Sequence, residues 1–357
     1  MNDMEYINRN EFTRRLARHD GFWAGKNSVF SITAPLSADK STDIWYRQEQ
    51  IDAKDSWRFF TDPELIHARD MNAFSGTYFA GDALPITHMN FGATGYAAFL
   101  KGIEYELRDS LWIHHIEEEL EDFTPILDES SPLYQAEMNL LKFYEAQPSI
   151  PYLIGNPDNA GVLDAIFVLR GEELLFDLTE DPEETLRVHA QMQKIWETVI
   201  ERTVPRLNRI NGGRTCVGWL HTTAPGIMAQ MQCDVSVMIS PDMYRRFCMP
   251  ELERQCELLE HPLYHLDGME QVRHLDYLLS LERLETIQWT CVAGQPSPLE
   301  FLEPLKRIQR AGKRIIILCE KEEALRLAAE LDDGPILLHI EADSPEEADR
   351  LAASLHC

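Results

Sequence analysis

The chain is poor in positive charge: 33 Lys and Arg stand against 60 Asp and Glu, a net charge of −27. A field of that sign repels phosphate backbones and anionic lipid heads, so nucleic acid and membrane surfaces are poor partners. Long apolar runs are missing too. Ala165 to Leu169 and Ile315 to Leu318 are core-sized segments, far below the ~20 residues of a spanning helix. The seven cysteines (Cys216, Cys233, Cys248, Cys256, Cys291, Cys319 and Cys357) are scattered and form no C-x-x-C pair. That excludes a disulfide scaffold and fits reduced thiols. The opening Met-Asn-Asp-Met-Glu has neither a basic start nor an apolar stretch, so no export signal is expected and the expected location is cytoplasmic. What is present is an ordinary globular balance, 44% apolar and 26% charged over 357 residues, enough to bury a large core.

That length fits about two units of ~150 residues, or one barrel of ~250 residues with decoration. Residues 4–18 carry a helical pattern and Asp62-Pro63-Glu64 opens another helix, so residues 1–80 are expected to form an N-terminal, mostly helical extension. The acidic run from Glu117 to Glu129 reads as a solvated helix face. From residue 84 onward short apolar runs alternate with helical stretches. The strand candidates are Leu84–Asn90, Tyr152–Asn156, Thr215–Leu220, Leu263–Asp267, Ile287–Cys291, Arg314–Cys319 and Ile336–Glu341, with an eighth inside Met228–Met238. Helices open with an oxygen cap and proline at Asp181-Pro182, Ser240-Pro241, Ser297-Pro298 and Ser344-Pro345, three of them with Glu three residues after the cap. Pro205 and Pro250 are expected to end or kink their helices. Seven or eight strand–helix units predict an α/β fold, a (β/α)8 TIM barrel over residues 81–357. An open doubly wound sheet is the alternative, weakened because no G-x-G-x-x-G follows the first strand.

In such a barrel chemistry sits at the C-terminal strand ends, and residues two apart on a strand share a face. The pairs closing the strands are His88/Asn90, Asn156/Asp158, Trp219/His221, His265/Asp267, Trp289/Cys291 and His339/Glu341. The sharpest is His265-Leu266-Asp267-Gly268, whose glycine lets the chain turn. Imidazole, carboxylate and thiolate are all zinc ligands, so His265, Asp267 and Cys291 form a candidate metal set, with His339 or Glu341 as a replacement. The same residues also fit a site without metal, in which Asp267 orients a neutral His265 or both bind a polar substrate. Asp234, in Gln232-Cys233-Asp234, is a candidate acid/base or orienting group. Trp219, Trp289 and Tyr264 are candidates for an aromatic wall, with Asn90, Asn156, Asp158 and His221 as further substrate contacts.

Three stretches resemble the uroporphyrinogen decarboxylase superfamily: IPYLIGNPDNAGVLDAIFVLRG at 150–171, QCDVSVMISPDMYRRFCMPELERQ at 232–255, and YHLDG at 264–268. The resemblance spans about 84–357. It implies a (β/α)8 barrel, and either decarboxylation of a porphyrinogen or zinc-dependent methyl transfer to corrinoid or thiol acceptors. A corrinoid carried on a partner protein and a homodimer follow as further expectations. The decarboxylases of that superfamily carry an arginine-rich R-Q-A-G-R segment at the first strand; here LPITHMNFGATG has no arginine, a poor match to a substrate with eight carboxylates. The methyltransferases have H-x-C where this chain has His265-x-Asp267. The leading expectation is therefore a barrel enzyme acting on a small organic molecule, with metal-assisted methyl transfer through His265, Asp267 and Asp234. A metal-free decarboxylase, with Asp234 stabilising a protonated ring, and a non-catalytic barrel that binds a ligand or a corrinoid protein are the rivals.

Overall fold

A computed structural model of the chain describes residues 6–36, 56–159, 161–290 and 294–355. Among these residues eleven strands run in chain order: β1 (Val29–Pro35), β2 (Thr77–Gly81), β3 (Tyr105–Leu107), β4 (Leu111–Ile113), β5 (Arg214–Val217), β6 (Thr222–Pro225), β7 (Met228–Gln232), β8 (His261–Leu266), β9 (Thr286–Trp289), β10 (Arg314–Cys319) and β11 (Ile336–Glu341). Seven form one sheet in the order β2-β1-β11-β10-β9-β8-β7. All neighbours in it are parallel except β1 and β2. Beyond β7 the chain continues beside the sheet through β5, where Asn156 N donates to Cys216 O at 2.8 Å, and through the parallel bridge between Ile86 and Leu153. The molecule is thus a mixed α/β protein built on a mostly parallel sheet with helices between its strands.

Several expectations need correction. The described part of residues 1–80 is mostly helical, in Arg9–Trp23, Ser56–Thr61 and Pro63–Ser75, but it is not a layer apart: β1 lies inside the main sheet, between β2 and β11. Its VFSITAP run is apolar enough to be covered on both faces, the mark of an interior parallel strand. Residues 117–129 form no helix; Pro125 interrupts them, and Leu120 and Phe123 are buried. Pro205 does not end its helix, which runs on from Pro182 to Ile210, whereas Pro250 stands as expected at a break, between the helices Pro241–Phe247 and Met249–Leu258, where its missing N–H leaves no bond unmade. The capped starts at Asp181, Ser240, Ser297 and Ser344 all open helical segments.

Both faces of the sheet are buried, by different groups. On β8, Tyr264 and Leu266 join the large core against the helices, while Leu263 faces a separate cluster with Val29, Met228, Ile316 and Leu337. Phe22 and Trp23, at the end of the helix Arg9–Trp23, pack into that second cluster. They make an apolar floor on the face opposite the helical layer. Two residues further along each strand, the same face turns polar: Gln230 on β7, His265 on β8 and His339 on β11. The register aligns these groups, with Gln232, His265 and Gln288 side by side and Ser31 opposite His339. No helix among the described residues is long and apolar enough to cross a membrane.

Candidate active site

Above the apolar floor lies a cavity of about 700 Å³ at the C-terminal strand ends. His265 enters it from β8. Its Nδ1–H donates to Gln288 Oε1 on β9, and Gln288 Nε2 donates in turn to Thr290 Oγ1 at 2.6 Å. Gln288 Oε1 can only accept, so Nδ1 carries a proton, and in the neutral ring the Nε2 lone pair is the one left for the cavity. The Trp219 ring stands edge-on to the imidazole, with centroids 5.1 Å apart and planes at 83°.

A relay of amides fixes the carboxylates beside it. Trp219 Nε1 donates to Gln230 Oε1 at 2.8 Å. Gln230 Nε2 donates to Gln232 Oε1 and, at 3.5 Å, to Asp158 Oδ1. Gln232 Nε2 donates to Asp234 Oδ2 at 2.9 Å, while Asp234 Oδ1 is buried with no protein partner. The backbone around Asp234 is pinned separately: the N–H groups of Asp234 and Val235 donate to the Asp164 carboxylate, both at 2.9 Å. Asp164 lies on the helix Val162–Arg170, whose first N–H groups, of Val162 and Leu163, donate to buried Glu251 at 3.1 Å. His189 Nε2 donates to the same carboxylate at 2.6 Å. Gly161 makes the close approach possible, since a Cβ there would lie 2.0 Å from Gln232 O.

Burial and like charge set the acidities. Asp234 is pushed up to about 7, first by burial and then by Asp267 and Asp158. Asp158 is raised to about 6 by burial, partly offset by His265 and reinforced by Asp164. On the opposite wall, the His221 and His339 rings stack 3.3 Å apart with planes at 6°. Burial holds both in the neutral form. His221 falls to about 3, and His339 falls well below its usual value, with His221 adding to the effect. Ser31 Oγ bonds His339 Nδ1 at 3.1 Å, and His339 Nε2 is buried without a partner. His221 adopts φ 49°, a left-handed conformation uncommon outside glycine. His88 is likewise lowered, to about 4, by burial.

No family model and no curated protein matches this chain. Among solved structures it is similar to a methyltransferase from Methanosarcina mazei, with 13% sequence identity, a TM-score of 0.55 and 97% of each chain covered. The likeness is one of fold.

The structure brings together Asn90, Asp158, Trp219, His221, Asp234, His265, Asp267, His339 and Glu341 around one cavity. Other expected contacts lie elsewhere. Tyr264 points to the helical side, where its hydroxyl donates to Gln271 Oε1 at 3.4 Å and lies 3.2 Å from that of Tyr244. The reason is parity: with His265 facing the cavity, its strand neighbours must face away. Asn156 is spent on joining strands, its Nδ2 donating to Met228 O at 2.8 Å, and it borders only a small separate gap. Trp289 borders the cavity, but its ring packs against Phe301 in the helix-side core at 5.2 Å. At the end of β9 the side chains that join His265 in the cavity are those of Gln288 and Thr290. Cys291 itself lies outside the described residues.

Among the described residues no three His, Cys, Asp or Glu side chains converge as a metal-binding group. His265 and Asp267, two of the three expected zinc ligands, both border the cavity; the third, Cys291, lies outside the described residues. Neither His339 nor Glu341 completes a set, His339 being engaged with Ser31 and stacked on His221. The residues sequence reasoning passed over are the glutamines. The alternation in Met228-Ala-Gln-Met-Gln marks Gln230 and Gln232 as one face, and Gln288 and Thr290 repeat that spacing.

Proposed function

We propose that the chain is a uroporphyrinogen decarboxylase-like (β/α)8 barrel enzyme that transfers a methyl group to or from a small organic molecule bound in this cavity. The observation that carries the reading is His265: its Nδ1–H is held by Gln288 and its Nε2 is open to a cavity bordered by Asp158, Asp234 and Asp267. The methyltransferase fold of the Methanosarcina mazei protein supports the barrel and the choice of chemistry. In the transfer, a nucleophile's lone pair forms the new bond to the methyl carbon and the old bond's pair leaves with the donor atom. His265 Nε2 takes the proton the nucleophile sheds. Asp234 and Asp158 orient the substrate through the amide relay, and Trp219 supplies a flat wall. Among the described residues the donors do not make a zinc set, and the proton is handled by the chain's own side chains.

Decarboxylation of a porphyrinogen is the weaker reading. A substrate with many carboxylates would meet Asp158, Asp234, Asp267 and Glu341, and among the described residues no Lys or Arg borders the cavity. The test is methyl loss from free methylcobalamin in the presence of a small thiol, followed by absorbance. A purified chain that accelerates the loss, and a His265→Ala variant about 100-fold slower or more, are the expected results. Equal rates for the two proteins would remove His265 from the chemistry.

A further inference from the structure

The charge of the cavity wall is one-sided. Asp109, Asp158, Asp234, Asp267 and Glu341 border it, and among the described residues no Lys or Arg does. An acidic wall alone is no site, but this one has unfilled hydrogen-bonding capacity. Asp234 Oδ1 is buried with no protein partner. His339, 4% exposed and bordering the cavity, holds Nε2 in the same state on a ring that burial keeps neutral. A buried carboxylate oxygen without a donor is destabilising until a ligand or ordered water meets it. Trp219 has already committed its N–H to Gln230, so it offers the cavity ring surface rather than a donor. Carboxylates with an aromatic surface, in a concave space of about 700 Å³, match an alkylated cation, whose charge is diffuse and whose surface is apolar.

We propose that the ligand of this cavity is a small organic cation of the alkylammonium or sulfonium class, held between the Asp158/Asp234 pair and the Trp219 ring. The inference rests on the reading of this cavity as the reaction site and adds the charge of its substrate. Phosphate esters and polycarboxylates would meet the same wall as a repulsive field.

The test compares choline with its uncharged carbon analogue 3,3-dimethylbutan-1-ol, which keeps the shape and removes the charge, and with propane-1,2,3-tricarboxylate. Binding is measured by calorimetric titration and by the shift in melting temperature. Choline should bind tighter than the analogue by about tenfold or more, and the tricarboxylate should not bind. The preference should shrink toward unity in the Asp158→Asn/Asp234→Asn double variant. If that variant does not fold, Glu341→Gln at an exposed strand end should reduce the preference in part. Equal affinity for choline and its analogue, tighter binding of the tricarboxylate, or no binding of choline would each overturn the proposal. Methylcobalamin turnover that depends on His265 but shows no preference for choline would sink the charge assignment alone. A clear preference for choline with no turnover would sink the reaction instead.

Discussion

Replacing Asp234 by Asn isolates the electrostatic strain of the site. Asp234 has an ordinary acidity of 3.8, raised to about 7 in the folded chain by burial, Asp267 and Asp158. The folded state therefore holds a proton that the unfolded chain has released, and stability falls as pH rises from about 4 to about 7. The full gap of about 3 pH units amounts to about 4 kcal/mol at 1.36 kcal/mol per unit. At pH 5 only about two fifths of it has been expressed; by pH 8 nearly all of it has. Asn carries no such dependence. It adds a constant change of its own, since the amide keeps one oxygen for Gln232 and buries an N–H₂ where Oδ1 was unpartnered. That constant cancels when the gap between the two proteins is compared across pH. Moving from pH 5 to pH 8, the variant should gain about 2 to 3 kcal/mol relative to the parent chain. With about 2.1 cal/mol/K per residue, and so about 0.75 kcal/mol/K for this chain, the relative melting temperature should move by about 3 °C in the variant's favour. Melting curves at half-unit pH steps in buffers of equal ionic strength would show it. A gap that stays constant, or that moves toward the parent chain as pH rises, would refute the assignment of a strained carboxyl at this position.

Gln288→Leu removes the acceptor that fixes the His265 tautomer, and turnover should fall about tenfold or more while the melting temperature changes little; unchanged turnover would show that Gln288 does not orient the ring. Gly161→Ala should destabilise the chain by about 2 kcal/mol or more, because its Cβ would meet Gln232 O at 2.0 Å, and a denaturant midpoint equal to the parent's would contradict that packing. The stacked His221 and His339 have folded acidities below the unfolded value of 6.5, so their contribution to stability is complete above that pH and is lost as pH falls below it. His339→Asn should flatten that acid limb of the melting profile; an unchanged limb would place the titration elsewhere.

The helical starts were legible because cap oxygen, proline and acidic first turn are local chemistry. The pairs His265/Asp267, Trp219/His221 and His339/Glu341 were legible because each places a polar group where a strand should end. The failures share a physical cause. On a strand covered on both faces there is no alternation of polarity to mark which face is which. Thr286–Trp289 is such a strand, and there the aromatic Trp289 drew attention from Gln288. Tyr264 failed for the same reason, as the neighbour of the correct residue. β1 was hidden because its partner β11 lies some 300 residues away, beyond the reach of any local pattern. The Gln230–Gln232–Asp234 relay was visible as spacing, but amides carry no charge and so did not stand out among sixty acids.

The aromatic pair Phe22 and Trp23 has a kinetic corollary. They close the sheet's inner face from below together with Val29, Met228 and Leu263, so among the described residues exchange with bulk water is directed past the opposite rim. Reactant and spent product would then share one doorway. Inhibition by accumulating product should accordingly be competitive with the molecule it came from, and a widened rim should speed departure more than it alters the chemical step.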